Sequence, residues 1–276
     1  MAYVNPLIAK WNAGEPTMGA WLTTPDPSIA EYLALCGFDE VTADQQHSTI
    51  ETNDLTSIFM AIEVRGVVPS TRVPFNDYVS IGKALDLGAQ MIIVPMVNNA
   101  AEAARAVAAF RYPPRGNRSA GPVRPQHVMG GSPEELEAVA CVLMIETKDG
   151  LANLDAIAST PGVDALYVGP GDLALGLGMR WDKASRSASE NEAHAAAVEH
   201  IRKACERHGV TPGIHVGDAE TSYRYIEQGF RLLTVASDMG LIFGGAAETL
   251  ARVRGAAVPG RAGGTSPRMS VTATPL

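Results

Sequence analysis

The chain has 276 residues, 46% of them hydrophobic and 19% charged, and a formal net charge of −8. That length is ordinary for one (β/α)8 barrel, and the acidic balance argues against a nucleic-acid partner, which needs a basic face. No stretch reaches the roughly 18 apolar residues of a membrane span, and MAYVNPLIAKWNAGEP lacks the basic start and apolar centre of a signal peptide.

In chain order, NPLIAKWNAG reads as a short helix closed by a turn at Gly14. A first strand follows at 18–23, and Pro25 and Pro27 break it before the helix SIAEYLALCG, which stops at Gly37. The second strand is EVTAD at 40–44; a polar loop then leads to the helix DLTSIFMAIEVRG. VPSTRV at 68–73 is the third strand, ended by Pro74, and Asp77 favours the N-terminal dipole of the next helix. MIIVPM at 91–96 and NNAAEAARAVAAF are the fourth strand and helix. The segment 111–135 is long, irregular and rich in Pro, Gly and Arg, as functional or disordered loops are. VLMIE and ALYVGP are buried strands joined by a helical segment, so they run parallel. KASRSASENEAHAAAVEHIRKACERHG is a helical region, VTPGIHVG the seventh strand, AETSYRYIEQG its helix and LLTVASD the eighth strand, before GLIFGGAAETLARVRG. Eight alternations of short strand and helix predict a (β/α)8 TIM barrel over 1–254, with 255–276 a flexible tail. Cys36, Cys141 and Cys205 form no CxxC and read as reduced core or near-core thiols of a cytoplasmic protein.

Barrels of this kind keep their chemistry at the C-terminal strand ends. Those positions hold Asp44 with His47 three residues on, Arg72, Glu146, Gly169 to Asp172, Ser237 and Asp238. Glu146 closes the fifth strand and Asp172 follows the sixth, so as neighbours roughly 4.8 Å apart they project from one end of the sheet. Two such carboxylates suit one hard divalent cation, with other positions left to water or substrate. Asp44 and His47 are spaced for the carboxylate to accept a hydrogen bond from the imidazole, or for a simple Asx-turn. A buried Arg72 needs a carboxylate or a substrate anion. His215, mid-strand among apolar residues, reads as a satisfied core histidine. There is no GxGxxG after a first strand and no GxxxxGK[ST].

These stretches, with GFDEVTADQQHS, RVPFND, DLGAQMIIVPMV, RYPPRGNR, NLDAIASTPGVDALYVGPGDLALGLG and SDMGL in one order, resemble the HpcH/HpaI family of class II, metal-dependent pyruvate aldolases. The resemblance runs from about Gly19 to about Val253. It implies that Glu146 and Asp172 ligate Mg2+, Mn2+ or Co2+, and that a 4-hydroxy-2-oxo acid is cleaved reversibly, through an enolate held on the metal, to pyruvate or hydroxypyruvate and an aldehyde. It further implies that Arg72 stabilises the enolate oxygen and the acceptor carbonyl, that His47 with Asp44 moves a proton through water, and that the N–H groups of Gly171 and Asp172 hold the oxo-acid carboxylate. Asp86 matches a residue contributed to a neighbouring subunit's site, and hexamers built as trimers of dimers are expected.

The chain departs from the family's pattern at Gln45-Gln46-His47, at Met144 two residues before the metal glutamate, and in SAGPVRPQ, a loop the resemblance puts over the acceptor side. Lys83 and Lys148 sit on predicted helices, so no Schiff base is expected. The rival readings are a citrate-lyase-like CoA-ester lyase and a barrel that binds an oxo acid without turnover.

Overall fold

The computed structural model describes residues 3–180 and 191–255. Eight parallel strands close into a barrel in sequence order: β1 Thr17–Leu22, β2 Glu40–Asp44, β3 Val68–Arg72, β4 Met91–Val94, β5 Ala140–Ile145, β6 Ala165–Val168, β7 Thr211–His215 and β8 Leu232–Ser237. Helices separate the strands, so this is the expected TIM barrel. β4 and β6 stop earlier than their apolar runs suggest. Pro95 follows β4 closely and Pro170 starts a helix, and a proline has no N–H to give the ladder.

Alternation of side chains divides the core in two. Leu22, Val41, Ala43, Ile92, Leu143, Val168 and Leu233 point outward and pack under the helices. Trp21, Val68, Met91, Val142, Met144, Tyr167 and Leu232 point inward and fill the barrel. Leu7 and Trp11 of the helix Pro6–Asn12 join this inner cluster and plug the N-terminal end, with Trp11 Nε1 donating to Thr17 Oγ1 at 2.9 Å. Asn5 caps that helix, and Asp77 caps the helix Tyr78–Leu87 by accepting from Val79 and Ser80.

The connection between β5 and β6 is two short helices, Lys148–Ala152 and Leu154–Ala158, rather than one. Asn153 breaks it, leaving helical geometry while its amide donates to the carbonyls of Asn98 and Asp149. The loop after Phe110 joins a helix to β5, so it lies at the barrel end opposite the chain's own mouth, not over the acceptor side of that mouth. Its arginines are tied down there. Arg115 pairs with Glu137, Arg124 pairs with Glu63, and Arg118 donates to the Leu136 carbonyl at 2.6 Å.

Cys141 and Cys205 are buried, and burial pushes the thiol of Cys205 up to about 12. Cys36 is exposed at the end of its helix, a correction to the core or near-core reading. The helix expected from Lys183 begins, within the described residues, at Glu192; 181–190 and 256–276, which include the expected tail, lie outside them. No described helix is long and apolar enough to cross a membrane.

The last helix, Asp238–Val253, is apolar yet buries only Asp238. Leu241, Ile242, Phe243, Leu250 and Val253 all face outward.

Candidate active site

The mouth of the barrel gathers most of the residues expected there. Asp44 and Arg72 end neighbouring strands and are partners in the β2–β3 register. Their side chains form a two-pronged pair: Arg72 Nε donates to Asp44 Oδ1 at 2.8 Å and Nη2 to Oδ2 at 2.7 Å. The Gln46 N–H also donates to Asp44 Oδ1, at 3.0 Å. Burial pushes the Asp44 carboxyl up, but the hydrogen bonds and charge of Arg72, together with Trp21 and the Gln46 N–H, hold it below the ordinary carboxylate value. His47 stands exposed on the loop after β2 and makes no hydrogen bond to Asp44. In this structure Asp44 therefore pairs with Arg72 rather than with His47. Register brings Arg72 directly alongside Asp44, and a planar guanidinium matches both carboxylate oxygens.

With Nε and Nη2 committed, Arg72 has Nη1 left over. Its acceptor there is the thioether of Met144, with the sulfur at 4.0 Å, and thioethers are weak acceptors. The guanidinium also lies 4.9 Å from the Trp21 ring centroid.

Glu146 sits at the end of β5 and is 2% exposed. The N–H of Met96 donates to its Oε1 at 2.7 Å, while its Oε2 is buried without a partner. Met96 itself is in the left-handed region, with φ of 59°. Opposite Oε2, Gly169 leaves a notch. A Cβ there would meet Glu146 Oε2 at 2.6 Å and the Met144 methyl at 2.8 Å. Burial, with the nearby Asp172 charge adding to it, pushes the Glu146 carboxyl up to about 7. Asp172 lies in the first turn of the helix Pro170–Gly176 and is exposed. As in any first turn, the N–H groups of Gly171 and Asp172 have no acceptor within their helix.

These residues surround a cavity of about 200 Å³ lined by Trp21, Arg72, Met144, Tyr167, Gly169 to Asp172 and His215. His215 is the residue that sequence reasoning missed. It ends β7 and points inward, its ring edge-on to Trp21 with centroids 5.4 Å apart. Burial, then the Arg72 charge, push its imidazole down to about 4, so the ring is neutral around pH 7. The signal was present in period two: Ile214 packs outward, so Gly213 and His215 face in.

Asp86 is not at this mouth. It lies near the C-terminal end of the helix Tyr78–Leu87, half-buried, with Arg118 and Lys83 within electrostatic reach. Burial raises its carboxyl above the ordinary value and these cations moderate the rise. Asp238 serves the framework by accepting from the N–H groups of Thr23 and Thr24.

Among the described residues no group of three or more His, Cys, Asp or Glu is gathered as a metal set. Glu146 and Asp172 nonetheless fit a dication. One is buried with an oxygen that nothing satisfies, and the other is its charged neighbour and lines the cavity. Magnesium-type ions commonly take one or two carboxylates and leave the rest to water and substrate.

A (β/α)8 barrel whose mouth sets two carboxylates beside a guanidinium has the makings of a lyase that gathers charge on an oxo-acid oxygen. The HpcH/HpaI aldolase/citrate lyase model matches residues 17–244, and the chain belongs to that family. It is 37% identical over 253 residues to a hydroxypyruvate/pyruvate aldolase of Rhizorhabdus wittichii, covering 91% of this chain and 99% of that one. It is 39% identical over 249 residues to a 2-dehydro-3,6-dideoxy-6-sulfogluconate aldolase of Pseudomonas putida, covering 88% and 94%. Among solved structures, an HpcH/HpaI aldolase/citrate lyase family protein of Burkholderia cenocepacia superposes with a TM-score of 0.83 at 32% identity, over 91% of this chain and all of that one.

Proposed function

We propose that this protein is a divalent-cation-dependent aldolase that reversibly cleaves a 4-hydroxy-2-oxo acid to pyruvate or hydroxypyruvate and an aldehyde. The observation that carries the reading is the unsatisfied, buried Oε2 of Glu146 beside Asp172 and across from Arg72. Relatives named as aldolases, with oxo-acid substrates in their names, support it.

Glu146 and Asp172 would hold the cation, with Mg2+, Mn2+ and Co2+ as the candidates. When bound, it supplies positive charge next to the oxygen that becomes negative. The chain's own residues do the rest. The free N–H groups of Gly171 and Asp172 bind the substrate carboxylate. Arg72 directs Nη1 at the 2-oxygen, and Asp44 holds the guanidinium in that orientation. A base takes the proton of the 4-hydroxyl, the C3–C4 bond breaks, its electron pair passes into the enolate, and the aldehyde leaves. Protonation of C3 then gives the 2-oxo acid. His47, exposed at the rim after β2, is proposed to exchange that proton through water. Lys83 and Lys148 lie on helices rather than at strand ends, which supports a route without a Schiff base.

We also propose a homo-oligomer, a hexamer arranged as a trimer of dimers, in which Asp86 serves a neighbouring subunit's site. Its place away from its own mouth and the uncovered apolar helix Asp238–Val253 support this. Activity is expected to vanish with EDTA and to return with Mn2+ or Mg2+. Activity unchanged by EDTA, or inactivation by borohydride in the presence of pyruvate, would refute the proposal. A requirement for a CoA ester would favour the CoA-ester lyase instead.

A further inference from the structure

The cavity at the barrel mouth has two unlike walls. One comes from β5, β6 and the turn after β6, and presents Met144, Gly169, Gly171 and Asp172, with Glu146 pressed against Gly169. The other comes from β1 and β7 and presents Trp21 and His215. Arg72, from β3, contributes the guanidinium that both walls share. An oxo acid whose carboxylate and 2-oxygen meet the first wall therefore turns its C3 toward the second, and the aldehyde must approach along Trp21 and His215.

His215 is the polar group of the second wall. On the donor side Arg72 gives Nε and Nη2 to Asp44 and Glu146 Oε1 has the Met96 N–H, while Arg72 Nη1 and Glu146 Oε2 are left for the oxo acid and the cation. The His215 ring makes a T-shaped contact with Trp21, and none of the described residues accepts its N–H. A neutral imidazole offers one donor and one acceptor. The charged groups facing it are Arg72 and Asp44, whose effects on its protonation oppose each other. The ring thus stands as a polar edge on an otherwise aromatic wall, on the side where the second substrate must enter.

We infer that His215 is an acceptor-binding residue: its ring hydrogen-bonds an oxygen on the carbon next to the aldehyde carbonyl, and so selects 2-hydroxyaldehydes over alkyl aldehydes of the same size. This rests on the aldolase reading above and adds to it the class of the second substrate. The role assigned is recognition, and the bonds that break and form are those already described. A pocket built to hydrogen-bond a hydroxyl discriminates strongly against an analogue that lacks it, because its own polar group is then left unpaired.

The test uses the full-length protein with Mn2+, with pyruvate as donor and two aldehydes of four heavy atoms each, glycolaldehyde and propanal. The readout is the ratio of their kcat/KM values. The unmodified protein is expected to favour glycolaldehyde. His215→Leu and His215→Phe, which replace the ring by apolar groups, are expected to lower that ratio by roughly tenfold or more. His215→Gln, which keeps a donor and an acceptor, is expected to hold it within about threefold. A ratio unmoved in both apolar variants, or lowered as far by the Gln substitution, would overturn the inference. Exchange of the pyruvate methyl protons into D2O by the unmodified protein reports the donor side separately. Absence of that exchange would count against the aldolase reading itself, whereas exchange with an unmoved ratio would remove only the role of His215.

Discussion

Substituting Glu40 by Gln would probe what the barrel interior tolerates. Glu40 is 0% exposed, Thr42 Oγ1 donates to its Oε2 at 2.6 Å, and its Oε1 has no partner. The space exists because Gly19, its register partner on β1, has no Cβ to occupy it. Burial pushes the carboxyl up to about 8 from an ordinary 4.5. Between those values the folded chain keeps a proton that the unfolded chain has lost. Stability therefore falls as pH rises, by about 1.4 kcal/mol per pH unit. At pH 7 the accumulated cost is about 3 kcal/mol, and above roughly pH 8 it stops growing because the folded chain ionises too. Glu40→Gln keeps the volume and an acceptor for Thr42, and has no ionisation to suppress. Urea unfolding at fixed protein concentration should show the two proteins nearly equal at pH 4.5. At pH 7 the variant should be more stable by about 3 kcal/mol, the cost it no longer carries. Parallel stability curves from pH 4.5 to 8 would mean that Glu40 is ionised in the folded barrel, and the reasoning would fail.

Other consequences can be measured on the same protein. Arg72→Lys loses the two-pronged match to Asp44 and should lower kcat/KM by about 100-fold or more, with far-UV circular dichroism unchanged. Gly169→Ala puts a methyl against Glu146 Oε2, and Mn2+ affinity read by electron paramagnetic resonance should weaken by about tenfold. Equal affinity would show that the notch is not used. Met96→Gly relieves a left-handed backbone and should add up to about 1 kcal/mol of stability while loosening the N–H that steadies Glu146. A thermal midpoint that does not rise would contradict the strain argument.

The barrel was legible because its strands are short apolar runs bounded by Gly and Pro, and because strand and helix alternate without exception. Glu146, Arg72 and Asp172 were legible for the same reason, since strand ends in such a fold coincide with the mouth. The partner of Asp44 was not. Spacing along the chain offers His47 three residues away, whereas β2–β3 register, a property of the closed sheet, offers Arg72 across 28 residues. His215 was misjudged as core because its neighbours are apolar, although alternation along β7 turns it inward and the strand ends there. The arginines of 111–135 drew attention as charges, but their carboxylate partners Glu63 and Glu137 come from other segments, which composition cannot reveal.

The helix Asp238–Val253 bears on how the protein must be handled. A solitary chain holds out sixteen residues whose greasy flank its own barrel leaves wet. If copies cover that flank for one another, persistence becomes a matter of abundance, and dilution acts as a mild denaturant. Melting temperatures taken at nanomolar and micromolar chain would then disagree, and enzyme kept too thin would fade without any change in its chemistry.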